Sequence, residues 1–218
     1  MFNSTIEIEK YILDHTEPES ELLKDLTRQT HVKILYPRML SGHIQGRILK
    51  MITDMIRPKR VLEIGTYTGY SALCFAEGLS DDGKIHTIEI NDEIVDFAQS
   101  YFDKSENKNK IQLHIGDALE IIPTINERFD LVFIDGDKRN YLEYYHAVFE
   151  KVNVGGYILA DNVLWSGKVV EPLVSNDLYT KGILDFNTFV HNDSRVENLI
   201  FPIRDGIMIL RKKNNHEY

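Results

Sequence analysis

A single cysteine, Cys74, rules out an internal disulfide, and no Cys/His cluster carries structural-zinc spacing. The chain also lacks any stretch approaching 18 uninterrupted apolar residues, and its start, MFNSTIEIEKYILDHTEPES, has neither the basic opening nor the apolar core of a secretion signal. A soluble, cytoplasmic protein with no membrane partner is the expectation. Positive charge is short as well. Lys and Arg number 25 against 34 Asp and Glu, for a formal net charge of -9, which disfavours affinity built on neutralising many phosphates. Repeats, low-complexity tracts and Pro/Gly/Ser linkers are missing, and 218 residues with 43% hydrophobic content suit one packed domain better than two. A single domain over 1–218 is expected, with a helical cap at 1–57 and an α/β core at 58–218.

What remains is an alternation of strands and helices. Residues 5 to 57 read as helices, the last with Ile44, Ile48, Ile52, Met55 and Ile56 on one face and Pro58 stopping it. Short apolar runs follow at RVLEI, KIHTIEI, KIQLHI, FDLVFID and GGYILAD, separated by segments long enough for crossover helices. In one of these, Ile94, Val95, Ala98, Tyr101 and Phe102 form a stripe. Near the C-terminus RVENLIFPI and GIMILRK flank Asp-Gly, which predicts two strands joined by a tight turn. The fold class is therefore α/β: a Rossmann-like, doubly wound, mostly parallel sheet with a C-terminal antiparallel strand pair and N-terminal helices.

In such a sheet ligands sit beyond the carboxyl ends of the strands, where strand order reverses. VLEIGTYTGYS runs from a strand through Gly65 and Gly69 into a helix near Tyr70, and its glycines would let backbone approach a ligand closely. Neither nucleotide fingerprint is present. Thr66 and Tyr67 fill the place where G-x-G-x-x-G needs bare backbone for a pyrophosphate, and no G-x-x-x-x-G-K-[ST] occurs. Instead, Glu63 suits a ligand amine, and Glu89, 20 residues after Gly69, stands at the interval from which an acid reaches ribose hydroxyls. Asp117 and Ala118 end the third strand. An acidic, phosphate-free rim of this kind matches a nucleoside that carries an amino acid and a positive centre, which is S-adenosylmethionine.

VLEIGTYTGYS, TIEIN, GDAL, FIDGDKRNY, ADNVLWSG and PIRDGI occur in the order seen in the small cation-dependent O-methyltransferases. From about Met39 to Arg211 the chain resembles the group that includes caffeoyl-CoA O-methyltransferase and, more distantly, catechol O-methyltransferase. The resemblance implies cofactor binding by Ser41, Glu63, Gly65, Thr66, Tyr67, Ser71, Glu89, Asp117 and Ala118, with Asp135 beside them. It also implies a homodimer.

Asp135, Asp161 and Asn162 end the fourth and fifth strands. Two carboxylates and an amide oxygen without histidine form an all-oxygen set suited to Mg2+, with Mn2+ or Ca2+ as alternatives, and ill suited to zinc. A calcium loop starting at Asp135 fails, since Asn140 stands where glycine is required and His146 where a bidentate Glu is required. A vicinal diol on an aromatic ring would chelate the cation, which favours the phenolate of a phenol whose ordinary pKa is about 10. Lys138, three residues after Asp135, is the candidate base, the role its family counterpart has, with Asp135 and Asn162 completing the catalytic set. Asp137 is assigned outside the ligand set. Trp165 and Ser166 are assigned to the acceptor pocket by the same resemblance. Cys74 and the eight histidines read as ordinary core or surface residues. Two other functions fit the same residues: methylation of a hydroxylated uridine in transfer RNA, with RPKR and RKK as a local basic face, and cofactor binding without catalysis.

Overall fold

The computed structural model describes residues 6–214; the remaining ends of the expected 1–218 domain lie outside the described residues. Helices α1 (Ile6–Asp14), α2 (Glu21–Lys33) and α3 (Gly42–Ile56) precede the first strand. Then follow β1 (Arg60–Ile64), α4 (Tyr70–Gly78), β2 (Lys84–Glu89), α5 (Val95–Lys104), β3 (Ile111–Ile115), α6 (Ala118–Ile121), β4 (Phe129–Ile134), α7 (Tyr141–Phe149), β5 (Val152–Ala160), α8 (Leu178–Asn192), β6 (Val196–Phe201) and β7 (Ile207–Lys212). The strands form one sheet in the order β3-β2-β1-β4-β5-β7-β6, parallel from β3 to β5 and antiparallel at β7 and β6. The expected doubly wound sheet with its antiparallel pair is present.

Strand periodicity explains the two cores. Leu62 and Ile64 of β1 point to the side covered by α6, α7 and α8, among Val132, Ile134, Tyr145 and Phe186. Val61 points to the other side, among Leu131, Phe133 and the buried faces of α2 to α5. Because α4 is covered by both sheet and cap, its SALCFA run is buried throughout, and Cys74 sits there as a packed small side chain. No described helix is long and apolar enough to cross a membrane.

Three features go beyond or against the sequence pattern. The inward face of α3 is Gln45, Gly46, Leu49 and Thr53, whereas Ile44, Ile48, Ile52 and Ile56 are half-buried and Met55 is 71% exposed. Small residues won over large ones because α3 packs tightly on α4: a Cβ at Gly46 would stand 2.6 Å from the Tyr70 ring and 2.7 Å from Cys74 Sγ. The β6–β7 connection is no two-residue turn either. Phe201 pairs with Ile207 across a five-residue loop, 202–206, with Arg204 and Gly206 at positive φ. Finally, RPKR opens β1 and RKK ends β7, where Lys212 Nζ donates to Val152 O at the start of β5 (3.0 Å). Both basic segments therefore lie at the sheet edge opposite the carboxyl ends of the parallel strands, with Lys59 paired to Asp82 and Arg60 to Glu127.

Candidate active site

Strand order reverses between β1 and β4, and the acidic residues expected from the sequence gather at that crevice. Glu63, fully buried on β1, accepts from Thr87 Oγ1 at 2.5 Å through Oε2. Since Thr87 gives its proton there, Thr66 donates to Thr87 (2.5 Å). Glu63 Oε1 is buried without a hydrogen-bond partner. Burial pushes this carboxyl up to about 8, against the nearby hydroxyls of Ser71 and Thr87, which lower it, and with the charges of Asp135 and Glu89 raising it further. Glu89 ends β2, and its two oxygens accept from Tyr67 N (2.7 Å) and Asn91 N (2.9 Å). Burial raises its pKa, against those backbone bonds. An ionised carboxylate has about four lone-pair sites, so both acids retain room for ligand donors.

The turn between them is tighter than a ligand alone would require. Gly65 has φ +102° and its missing Cβ would stand 2.5 Å from Asp135 O; Gly69 has φ +89° and would meet the Phe102 ring at 2.5 Å. These glycines serve the contacts of β1 with β4 and of the turn with α5. At the end of β3, Gly116 N donates to Glu89 O (2.8 Å), and Asp117 caps α6 by accepting from Leu119 N (2.8 Å), which sets Asp117 and Ala118 beside Glu89.

The second half of the site lies at the ends of β4 and β5. Lys138, 8% exposed, donates to Asp135 Oδ1 (2.7 Å) and to Tyr141 Oη (2.6 Å). Tyr141 in turn donates to Asp161 O (2.9 Å), with Ile134 O a second acceptor at 3.2 Å. Burial pushes Asp135 up to about 6; Lys138 opposes the shift and the Asp161 charge adds to it. Among the described residues no hydrogen bond reaches Asp135 Oδ2. Asp161 accepts from Gln45 Nε2 (2.7 Å) and Asn162 N (2.8 Å), one bond on each oxygen. The Asn162 carboxamide makes no hydrogen bond among the described residues, and its backbone stands in the left-handed region at φ +58°. No group of three or more His, Cys, Asp or Glu able to hold a metal ion occurs among the described residues; the oxygen set here is two carboxylates and an amide. Asp137 caps the following turn and pairs with Arg139, away from that set.

The acceptor side follows directly in the chain. Trp165 N donates to Asn162 O (3.1 Å), and the Trp165 ring stacks on Tyr179 with centroids 6.2 Å apart, while its buried Nε1 has no partner. Ser166 N donates to Asp205 Oδ1 (2.5 Å), from the β6–β7 loop. The neighbouring Arg204 donates to Ser41 O and Gln45 Oε1, which joins Ser41 to the site through its backbone. Gln45, Thr87, Tyr141, Tyr179, Arg204 and Asp205 are absent from the sequence-based set. PIRDGI signalled a turn there, but a lone Gln on a helix carries no signal.

The family model described as O-methyltransferase matches residues 13–213. Caffeoyl-CoA O-methyltransferase 5 of Nicotiana tabacum is 34% identical over 93% of this chain and 90% of its own. Caffeoyl-CoA O-methyltransferase 1 of Eucalyptus globulus is 36% identical over 89% and 82%. Among solved structures, an O-methyltransferase from Bacillus cereus in complex with SAH superposes with a TM-score of 0.89 at 27% identity, covering 95% of this chain and 97% of that one. TomG from Streptomyces achromogenes, in complex with SAM, gives 0.88 at 25%, covering 95% and 96%. The chain belongs to the O-methyltransferase family, and it is a methyltransferase.

Proposed function

We propose that this enzyme transfers the methyl group of S-adenosylmethionine to a hydroxyl of a catechol-like acceptor, using a divalent cation. The observation that carries this reading is the pair of carboxylates on adjacent strand ends, Asp135 and Asp161, with Lys138 Nζ 2.7 Å from the first and an unpartnered Asn162 amide beside the second. On the cofactor half, the orphaned Glu63 Oε1 receives the methionine ammonium and Glu89 receives the ribose hydroxyls. The bound-cofactor relatives from B. cereus and S. achromogenes support S-adenosylmethionine as the cofactor.

Asp135, Asp161 and Asn162 fit a hard cation: three oxygen donors, no nitrogen or sulfur, and spare lone pairs on each. Such a cation, Mg2+ in the first instance, would supply Lewis-acid polarisation of two vicinal oxygens. The chain's own residues do the rest. As a neutral amine, Lys138 uses its two N–H bonds on Asp135 and Tyr141, and the lone pair left in the third position takes the proton of the acceptor hydroxyl, giving the ammonium. Trp165 and Ser166 flank the acceptor, and Tyr179 backs the Trp165 ring. Neutralisation of phenolate and sulfonium in the transition state is helped by a site that holds little water.

Hydroxyuridine in transfer RNA is disfavoured, since the basic segments stand at the far sheet edge. The half-exposed stripe of α3, with Met51 56% and Met55 71% exposed, is the surface we assign to a second copy of the chain in a homodimer; Ile52→Asp should then yield monomers by light scattering. The decisive assay is methyl transfer from labelled S-adenosylmethionine to caffeic acid with Mg2+ and with a chelator, alongside hydroxyuridine-containing transfer RNA. Chelator-sensitive labelling of the catechol is expected. Labelling of the RNA alone would refute the acceptor class.

A further inference from the structure

Gln45 is 1% exposed, and its carboxamide joins two groups of opposite character. Nε2 donates to Asp161 Oδ2 at 2.7 Å, and Oε1 accepts from Arg204 Nη1, which also donates to Ser41 O. Arginine only donates and a carboxylate only accepts, so a single orientation of the amide satisfies both ends. The other oxygen of Asp161 is held by the adjacent Asn162 N, a contact that belongs to the same loop. Gln45 is therefore the side chain that fixes the Asp161 carboxylate from outside its own strand. The arrangement continues through the β6–β7 loop. Arg204 adopts φ +49°, and its neighbour Asp205 holds Ser166 N, so one loop grips the cap helix on one side and the acceptor segment on the other.

We propose that Gln45, locked by Arg204, is a positioning residue that sets the direction in which Asp161 offers its lone pairs to a divalent cation. The inference rests on the assignment of Asp135, Asp161 and Asn162 as the cation site. A packing role alone would be met by an apolar side chain of the same length. Here an apolar side chain would leave Asp161 Oδ2 and one Arg204 N–H without their protein partners.

The test is Mn2+ binding, read from loss of the free-ion paramagnetic resonance signal, on wild type and on Gln45→Met, each with S-adenosylhomocysteine present. Calorimetric affinity for S-adenosylhomocysteine is measured in parallel. Removing a group that orients a metal ligand typically costs about 10- to 100-fold in metal affinity. Gln45→Met is expected to lose at least about tenfold in Mn2+ affinity and to keep its S-adenosylhomocysteine affinity. Unchanged Mn2+ affinity overturns the proposal while leaving the cation site in place. Equal loss of both ligands assigns Gln45 to the fold and also overturns it. No Mn2+ binding by wild type removes the cation site itself. If Gln45→Met does not fold, Arg204→Met decides, since Arg204 lies on an exposed loop and its Nη1 alone makes both contacts to Ser41 O and Gln45 Oε1: a weakened Mn2+ affinity supports the lock, and an unchanged one overturns it.

Discussion

Binding of S-adenosylhomocysteine should expel a proton from Glu63. Its carboxyl stands at about 8 in the ligand-free protein, driven up chiefly by burial. At pH 7, one unit below, roughly nine molecules in ten carry the proton there. An ammonium placed against Oε1 stabilises the carboxylate, so binding at pH 7 should release up to about 0.9 proton. Deprotonation costs about 1.4 kcal/mol at pH 7, against about 1.5–3 kcal/mol for a hydrogen bond to a charged partner. Glu63→Gln keeps the shape and an acceptor for Thr87. It should release no proton from this position, with a small affinity deficit at pH 7 that grows toward pH 8. The assay is calorimetry in buffers of different ionisation enthalpy, comparing the two proteins. Equal proton release by both would refute the pairing of Glu63 with the ammonium. The same shift sets the sign of ligand-free stability. With folded values raised above unfolded ones, Glu63 and Asp135 bind more protons in the native state, so their contribution falls as pH rises from about 4 to about 8. The ligand-free protein should lose stability from these groups over that range.

Lys138→Met should lower kcat by about 10²–10⁴ while S-adenosylhomocysteine affinity is kept; a kcat within tenfold of wild type would remove Lys138 as the base. Asp161→Ala should abolish cation-dependent turnover and leave cofactor affinity nearly unchanged, and equal loss of both would show the site to be misassigned. Gly65→Ala combines φ +102° with a Cβ 2.5 Å from Asp135 O, and should destabilise by about 1–3 kcal/mol or more in urea unfolding; a shift under about 0.5 kcal/mol, the size of an ordinary surface substitution, would contradict the close approach. Tyr67→Phe removes a hydroxyl that reaches Leu35 O (3.1 Å) and Tyr36 O (3.2 Å). It should raise the acceptor KM by about 2- to 10-fold and speed hydrogen exchange over 34–41.

Residues whose role depends on their own strand were legible in the sequence. Glu63, Glu89, Asp135 and Asp161 each stand at a strand end that apolar runs already located, and parallel pairing brings successive ends together without further information. Residues whose role depends on packing between elements were not. Which face of α3 turns inward was decided by the closeness of α4, and the isoleucine stripe lies half-buried beside that face, with Ile52 and Ile56 packed at the margin of the core. Gln45, a polar residue on that inward face, came into the site by the same packing. Asp-Gly suggested a tight turn, but a five-residue loop frees Arg204 and Asp205 to reach α3 and Ser166. The glycines of the first turn were legible as a turn, but their close approach to Asp135 O and to the Phe102 ring depends on packing and was not.

The cap and the core are joined by polar side chains that grow from the cofactor-bearing elements. Tyr67, in the turn after β1, reaches the 34–36 backbone; Tyr70 at the start of α4 donates to Glu19 (2.5 Å); Tyr101 of α5 donates to Asp25 (2.8 Å); Arg47 of α3 pairs with Glu77 of α4 (2.7 Å). On the other side Gln45 and Arg204 tie α3 to β5 and the terminal hairpin. The contacts of Tyr67, Tyr70, Arg47 and Gln45 each join the cap to an element that also carries a proposed cofactor or cation residue: the turn after β1, α4 with Ser71, or the end of β5 with Asp161. A change in cap sequence that alters acceptor shape therefore acts on groups that hold Glu89, Asp161 and Ser41. Exposed Leu35, Tyr36 and Met39 lie on the segment between these anchor points. Acceptor choice can vary along that segment while the anchors, and with them the methyl-transfer geometry, stay fixed.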